Sequence, residues 1–189
     1  MTLAVVALVA AFAGTFLARS TREPQTNAVA ANSIVALDPS GAIAATVPVG
    51  ARPAAITAGA GALWVTNLDD QSVTRVDVSS RQAVRNIPIG DTPTGIAATK
   101  TAVWVTDGSG DFSKIDPRYD RRTYSRPLRA SVGFFGGTAR PALAAFGSLW
   151  IVSPDGVVLR FDPRSARVVE CVAVGNASSP SRPARAPCG

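Results

Sequence analysis

Aspartates that follow three similar apolar segments are the residues of this chain best suited to chemistry. They are Asp69 and Asp70, then Asp107 and Asp111, then Asp155. Carboxylates can hold a divalent cation, and D-G-S-G-D at residues 107–111 faintly suggests a calcium loop, but no bidentate Glu follows it. Aspartate is also common in turns because its side chain hydrogen-bonds the neighbouring backbone. We therefore interpret these aspartates as turn residues and predict no metal ion and no cofactor.

Histidine is absent from all 189 residues. This excludes Ser-His-Asp and Cys-His nucleophilic sites and removes the commonest metal ligand. We predict that the protein is not an enzyme. A metal-dependent hydrolase or lyase that uses the turn aspartates is the alternative, and metal-dependent turnover would favour it.

The chain is basic, with 19 Lys and Arg against 13 Asp and Glu and a formal net charge of +6. Basic residues are densest around Tyr119 and Tyr124. They are Lys114, Arg118, Arg121, Arg122, Arg126 and Arg129. Such a surface can attract nucleic acid or anionic lipid, but no nucleic-acid-binding sequence pattern accompanies it. We interpret the cluster as a solvated outer strand and turn, and we expect no nucleic-acid partner.

The chain has two cysteines. Cys171 lies in the apolar run V-V-E-C-V-A-V, and Cys188 is the penultimate residue. Two cysteines do not define a disulfide framework. We expect a buried thiol at Cys171 and a free thiol at Cys188. A disulfide between them or to another chain, formed in an oxidising compartment, is the alternative.

Three near-copies of one phrase divide the chain into repeats. The phrases are A-L-W-V-T-N, A-V-W-V-T-D and S-L-W-I-V-S, and their tryptophans are Trp64, Trp104 and Trp150. A second series, which we interpret as turn caps, keeps the same period: Asp38, Asp77, Asp116 and Asp162. A period near 40 residues with several short apolar runs is typical of β-propeller blades. We expect the tryptophans to pack between blades.

Each repeat contains four short apolar runs separated by turn residues. In residues 53–90 the runs are A-A-I-T-A-G, A-L-W-V-T-N, S-V-T-R-V-D-V and A-V-R-N-I-P-I-G. Their alternation and turn spacing favour strands, and glycine and proline interrupt every helical window. Pro88, which lacks an N–H, suits the unpaired edge of a sheet. We predict an all-β array of four-stranded antiparallel blades with about fourteen strands and the tryptophans on equivalent second strands.

At these residues the sequence resembles the YVTN-repeat β-propeller family, which includes the bacterial YncE-like proteins. The resemblance covers residues 32–174, through V-A-L-D-P, V-P-V-G and L-W-V-T-N and their later counterparts. It implies a propeller fold but little about activity, because function is grafted onto this fold. It also implies blades that follow a single membrane span and lie outside the cytoplasm.

The number of repeats departs from that family. Units at residues 53–90, 93–128 and 141–175 follow a half unit at residues 33–50, which gives about three and a half blades. Closed propellers typically have 4–8. We predict a partial propeller over residues 32–176, either truncated or completed by another chain, which forms an open arc whose exposed ends allow self-association. The alternative is that the chain is the truncated sensory part of a larger regulatory protein with no independent activity.

The N-terminus is apolar. Residues 2–18 carry no charge and reach the short limit of about 17–25 residues for a membrane-spanning helix. We predict a transmembrane or signal-anchor helix at residues 1–18, a linker at 19–31 and a disordered tail at 177–189. A cleaved signal peptide is the alternative. The expected location is the cell membrane, in a single pass with the blades outside the cytoplasm, or secretion if the segment is cleaved.

One face of a propeller gathers the loops between blades and the turns between second and third strands. We predict that a ligand or protein partner binds there, because loops on a rigid scaffold commonly carry function. The irregular segment A-S-V-G-F-F-G-G-T-A-R at residues 130–140 is the favoured element. The candidate binding residues are Arg52, Asp69, Asp70, Asp91, Asp107, Asp111, Phe134, Phe135, Arg140 and Asp155.

Overall fold

The computed structural model describes residues 29–127, 142–153, 157–165 and 167–174, and every regular element in these ranges is a β-strand. The first sheet, half-blade A, contains β1 (Ser33–Leu37) and β2 (Ile43–Pro48). Blade B contains β3 (Pro53–Gly59), β4 (Ala62–Asn67), β5 (Ser72–Asp77) and β6 (Gln82–Pro88). Blade C contains β7 (Pro93–Ala98), β8 (Val103–Asp107), β9 (Asp111–Asp116) and β10 (Arg121–Pro127). Blade D contains β11 (Ala142–Ala145), β12 (Ser148–Ser153), β13 (Val157–Asp162) and β14 (Arg167–Ala173).

Each blade is an antiparallel meander in which consecutive strands pair. The three tryptophans occupy the second strands β4, β8 and β12. Their register is also equivalent, with the pairs Trp64–Arg75, Trp104–Lys114 and Trp150–Arg160 across the second and third strands. The predictions of four strands per repeat and of equivalent tryptophans are therefore confirmed. The period of the sequence and the alternation within each run determine both features.

The blades pack in series, with the first strands β3, β7 and β11 next to one another. We call the side of a blade that points to the next blade in sequence its forward face, and the opposite side its back face. Trp64, on the forward face of blade B, is buried in one core with Ile96 and Val103 from the back face of blade C. Trp104 stacks on Phe112, with ring centroids 4.6 Å apart, in the core between blades C and D. Packing between blades is thus confirmed for these two tryptophans.

The outermost faces of this series are open. On the forward face of blade D, Leu143 is 63% exposed and Trp150 is only partly buried. On the back face of blade B, Ile56 is 53% exposed, whereas its counterpart Ile96 in blade C is 5% exposed. The difference arises because a neighbouring blade covers Ile96, whereas in the part of the chain described only half-blade A precedes blade B. Within the described residues, the blades form an arc with apolar surface at its ends.

A cation lies over each tryptophan ring, a repeated feature that the sequence analysis missed. Arg75, Lys114 and Arg160 lie 5.6, 5.2 and 5.7 Å from the ring centroids of their partners, within the range of cation–π attraction. Arg75 also reaches blade C, where its Nη1 donates to Asp120 Oδ1 at 2.8 Å and to the Pro117 carbonyl at 3.3 Å. This side chain therefore joins two blades.

The second series of aspartates closes the turns after the third strands. The side chains accept hydrogen bonds from residues two to four positions later, and they are Asp38, Asp77, Asp116 and Asp162. At Asp77, the hydroxyl of Ser79 and then the backbone N–H and hydroxyl of Ser80 lower the carboxyl pKa to about 2. The pKa values of the other three are lowered by hydrogen bonds within their own turns. Their interpretation as turn caps is confirmed.

Cys171 corrects one expectation. It takes part in a disulfide bond, so the expectation of a free buried thiol is wrong. Its side chain is only partly buried beside the core between blades C and D, and the sulfur on this outer strand is therefore accessible to a partner. Cys188 lies outside the described residues.

The predicted membrane segment, residues 2–18, also lies outside the described residues, as do the segment 130–140 and the tail 177–189. Among the residues described, no helix has the length and apolar character needed to cross a membrane.

Candidate functional site

Loops between blades and turns between second and third strands meet on one side of the arc, which we call the loop face. The loop from β2 to β3 contacts the turn between β4 and β5, where the Leu68 N–H donates to the Arg52 carbonyl at 3.0 Å. The same contact recurs one blade later, where the Gly108 N–H donates to the Thr92 carbonyl at 2.9 Å. These repeated backbone bonds make a firm frame for the side chains above it. Within the described residues, the loops between blades and these turns therefore lie on the same side of the arc.

Arg52, Asp69 and Asp70 form one group at the junction of half-blade A and blade B. Arg52 Nε lies 3.1 Å from Asp69 Oδ1, and the two side chains are 61% and 57% exposed. Asp70 Oδ2 instead accepts the Ala51 N–H at 2.8 Å. Asp70 therefore holds the loop in place, while Arg52 and Asp69 present their charges to solvent.

Gly50 explains why the loop from β2 can approach this turn so closely. A Cβ atom at Gly50 would lie 2.5 Å from the Asp70 carboxylate and 2.6 Å from the Asn67 amide. Any larger residue would push the loop away from both groups. The glycine of the V-P-V-G phrase is thus required by packing at this junction.

Asp91, Asp107 and Asp111 form a second group at the junction of blades B and C. Asp107 is buried, and its Oδ1 accepts the Ser109 hydroxyl at 2.6 Å and the Asp111 N–H at 2.8 Å. Asp91 Oδ1 accepts the Thr92 N–H at 2.6 Å. These bonds support the interpretation of the aspartates as turn residues. Over the described ranges, no three acidic or cysteine side chains are grouped closely enough to hold a metal ion.

The structure brings six of the ten candidate residues to the loop face, in two groups. The other four lie outside the described residues: Phe134, Phe135, Arg140 and Asp155.

A cleft of about 430 Å³ between half-blade A and blade B was not predicted from the sequence. Its lining is mixed polar and apolar: Pro48, Val49, Gly50, Asp70, Thr74, Ala83, Val84, Arg85 and Asn86. Beside Asp70 and Thr74, the buried Asn67 amide donates to the hydroxyls of Ser72 and Thr74 at 3.0 and 2.8 Å. The asparagine that ends the phrase A-L-W-V-T-N was the available signal for this polar cluster.

The basic cluster is largely occupied by contacts within the chain. Arg118 and Arg121 lie 5.8 and 5.3 Å from the Tyr119 ring, and Arg118 pairs with Asp116 at 3.2 Å. Arg122 donates to the Ile89 carbonyl of blade B. These contacts fit an outer strand and turn that are partly solvated and partly packed on the neighbouring blade. Side chains from residue 124 to the end of β10 lie outside the described set.

No protein-family model and no curated protein matches the chain. Solved structures match it at low identity. Hydrazine synthase of Kuenenia stuttgartiensis is 21% identical with a TM-score of 0.60, over 74% of this chain and 42% of that one. BBS1N, solved in complex with ARL6DN, is 18% identical with a TM-score of 0.60, over 77% and 48%. BamB of Moraxella catarrhalis is 16% identical with a TM-score of 0.50, over 64% and 35%.

The chain thus spans less than half the length of each of these proteins. At such identities the likeness concerns the fold alone. The YVTN-repeat resemblance stays a prediction at this level. In fold, this chain is similar to β-propeller proteins, and its described residues form three four-stranded blades and a two-stranded half-blade.

Proposed function

We propose that this chain is a non-enzymatic binding module of the YVTN-repeat type that holds a ligand or protein partner on its loop face. The exposed Arg52–Asp69 pair carries the proposal. An exposed ion pair contributes only about 0–1 kcal/mol to stability. A guanidinium or carboxylate of a partner can therefore replace one member of the pair at little cost to the fold.

The remaining carboxylates of the face support this division of roles. Asp70, Asp91 and Asp107 accept backbone hydrogen bonds from their own junctions. They fix the shape of the surface, and Arg52 and Asp69 supply the charges that a partner meets. Binding residues on loops above a rigid scaffold are a common arrangement.

The test is site-specific photo-crosslinking in cells that make the full chain. A photo-reactive residue replaces Gln71, which is exposed in the same turn as Asp69, in one variant and Ser79 in the matched control, because the turn of Ser79 lies at the opposite ends of the strands. We expect a discrete adduct from position 71 only, and its loss when Arg52→Ala is added. Equal adducts from both positions, or an adduct insensitive to Arg52→Ala, would contradict the proposal.

We also propose that residues 2–18 tether the module to the membrane with the blades outside the cytoplasm. The uncharged apolar run supports the tether, and the family resemblance supports the orientation. Deletion of residues 1–18 is expected to move the protein from the membrane to the soluble fraction, and deletion of residues 177–189 is the control. A full-length chain that is soluble with its N-terminus intact would contradict the tether.

A second candidate is the sensory part of a larger regulatory protein. The observation that favours it is the coverage of less than half of each similar structure. An antibody raised against residues 53–90 measures the mass of the natural polypeptide. A band far above 19.4 kDa would support this candidate, and a band at that mass would contradict it.

A further inference from the structure

Within the described residues, one strand edge of half-blade A has no partner strand. The third strands of the complete blades, β5, β9 and β13, pair on both sides with the second and fourth strands. In the part of the chain described, their counterpart β1 pairs only with β2. The other edge of β1 therefore presents backbone N–H and C=O groups, which is a template for another strand.

The apolar surface beside this edge is uncovered where the first two strands of a complete blade would lie. On the back face of blade B, Val65 and Val76 are buried, but Ile56 is 53% exposed and Leu63 is only partly buried. The equivalent residues in blade C, Ile96 and Val103, are buried against the first two strands of blade B. The exposed part of the back face of blade B is thus the surface that the first two strands of a complete blade A would cover.

We propose that the free edge of β1 and the surface of Ile56 and Leu63 form a docking slot for a two-stranded β-hairpin of another polypeptide. The hairpin pairs antiparallel with β1 and completes blade A. Its backbone supplies the hydrogen bonds and its side chains on one face fill the apolar surface, the mode called β-augmentation. The slot uses neither the Arg52 nor the Asp69 side chain, so its test is distinct from that of the proposed function of the loop face.

The contacts between blades B and C indicate the chemistry of the partner. In that interface the second strand of the preceding blade contributes Trp64, and its first strand ends at Gly59. A Cβ atom added at Gly59 would lie only 2.5 Å from Ala98 Cβ, so the contact requires a very small residue. In the slot, Ala36 stands where Arg75 stands in blade B. The small side chain leaves room for a large ring on the neighbouring strand. The fitting hairpin therefore carries an aromatic residue on its second strand and small residues on its first.

The experiment uses a synthetic peptide with the sequence of residues 53–67, the inner hairpin of blade B, labelled with a fluorophore and titrated with the full chain. We expect saturable one-to-one binding by anisotropy. A peptide with Trp64→Ala should bind more than about tenfold more weakly, because a buried aromatic anchor dominates such interfaces. In the protein, Ile56→Arg should weaken binding more than about tenfold. Val169→Arg is the control, since Val169 is 54% exposed on blade D.

Hydrogen exchange locates the bound peptide. Amides of β1 should gain protection when the peptide binds, and those of β12 and β13 should not. No binding, or protection confined to β12 and β13, would overturn the proposal. A further outcome is that the chain self-associates, that Ile56→Arg abolishes this association and that the peptide does not displace the second copy. The slot is then occupied by a second copy of this chain, and the proposal is equally overturned.

Discussion

The three tryptophans allow one substitution to be compared at three equivalent positions. Trp64 Nε1 donates to the Gly59 carbonyl at 3.0 Å, and Trp150 Nε1 donates to the Ala145 carbonyl at 3.1 Å. Within the described residues, the buried Trp104 Nε1 has no acceptor. The hairpin of blade C differs locally, because the Thr99 side chain and N–H both donate to the Ala102 carbonyl. Tryptophan to phenylalanine removes the N–H at each position and a similar part of the ring.

The sign and size of the effect follow from the fate of that N–H. A satisfied hydrogen bond contributes about 0.5–1.5 kcal/mol, and a buried donor without an acceptor costs about 1–3 kcal/mol. Trp64→Phe loses the contribution of a satisfied hydrogen bond, whereas Trp104→Phe removes the cost of a buried donor without an acceptor. Because the two contributions add, we expect Trp64→Phe to be more destabilising than Trp104→Phe by about 3 kcal/mol. Trp150→Phe should cost less than about 1 kcal/mol, because water can reach the partly exposed ring and replace the lost bond.

Guanidinium unfolding followed by far-ultraviolet circular dichroism measures the three differences, since fluorescence changes with the substitution itself. Protein concentration is held constant because association would contribute to apparent stability. Equal costs for Trp64→Phe and Trp104→Phe, or a larger cost for Trp104→Phe, would refute the reasoning.

Three further predictions test the contacts between blades and the turns. Asp120→Asn should lower the stability measured by thermal melting by about 1–2 kcal/mol, because the ion-pair partners Arg75 and Asp120 are only 25% and 23% exposed. Asparagine tolerates the positive φ of 48° at this position. No loss of stability, or no coupling to Arg75→Met in a double-mutant cycle, contradicts the bridge between blades. Phe146→Asn should raise stability by about 1 kcal/mol, because Phe146 is 94% exposed and has a φ of 51°, a backbone conformation that favours asparagine. A lower melting temperature of the variant would contradict this prediction. The depressed pKa of Asp77 gives stability that is complete above the ordinary aspartate pKa of 3.8 and is lost as pH falls through about 2. Ser79→Ala should raise that pKa in a carboxyl NMR titration, and an unchanged value argues against the hydroxyl as its main cause.

The number and identity of the strands were predictable from sequence because blades are local structures. The repeat period, the alternation within each run and the turn aspartates together specify an antiparallel meander. The phrase that contains Trp64 recurs in register, so its equivalence to Trp104 could be read without coordinates. The capping role of Asp77 could also be read, because its partners lie within three residues.

Much of the candidate site could not be predicted, because its contacts join distant parts of the chain. Arg52 and Asp69 are recognisable as loop residues, but their ion pair depends on the packing of half-blade A on blade B. The cleft beside Asp70 arises from the same packing. The prediction of a free thiol at Cys171 was wrong, because an apolar strand sequence does not reveal which side chains stay partly accessible.

The sequence by itself therefore determined the architecture of the chain: four-stranded blades and the positions of the tryptophans on them. These features depend on local alternation and on interactions between residues close in sequence. Only the tertiary structure decided that Arg75 reaches Asp120 across two blades, that Trp104 lacks the hydrogen bond of its counterparts, and that Ile56 stays exposed beside the free edge of β1. The physical reason is that these properties depend on which neighbouring blade covers each face, and equivalent repeats cannot encode the presence or absence of their neighbours.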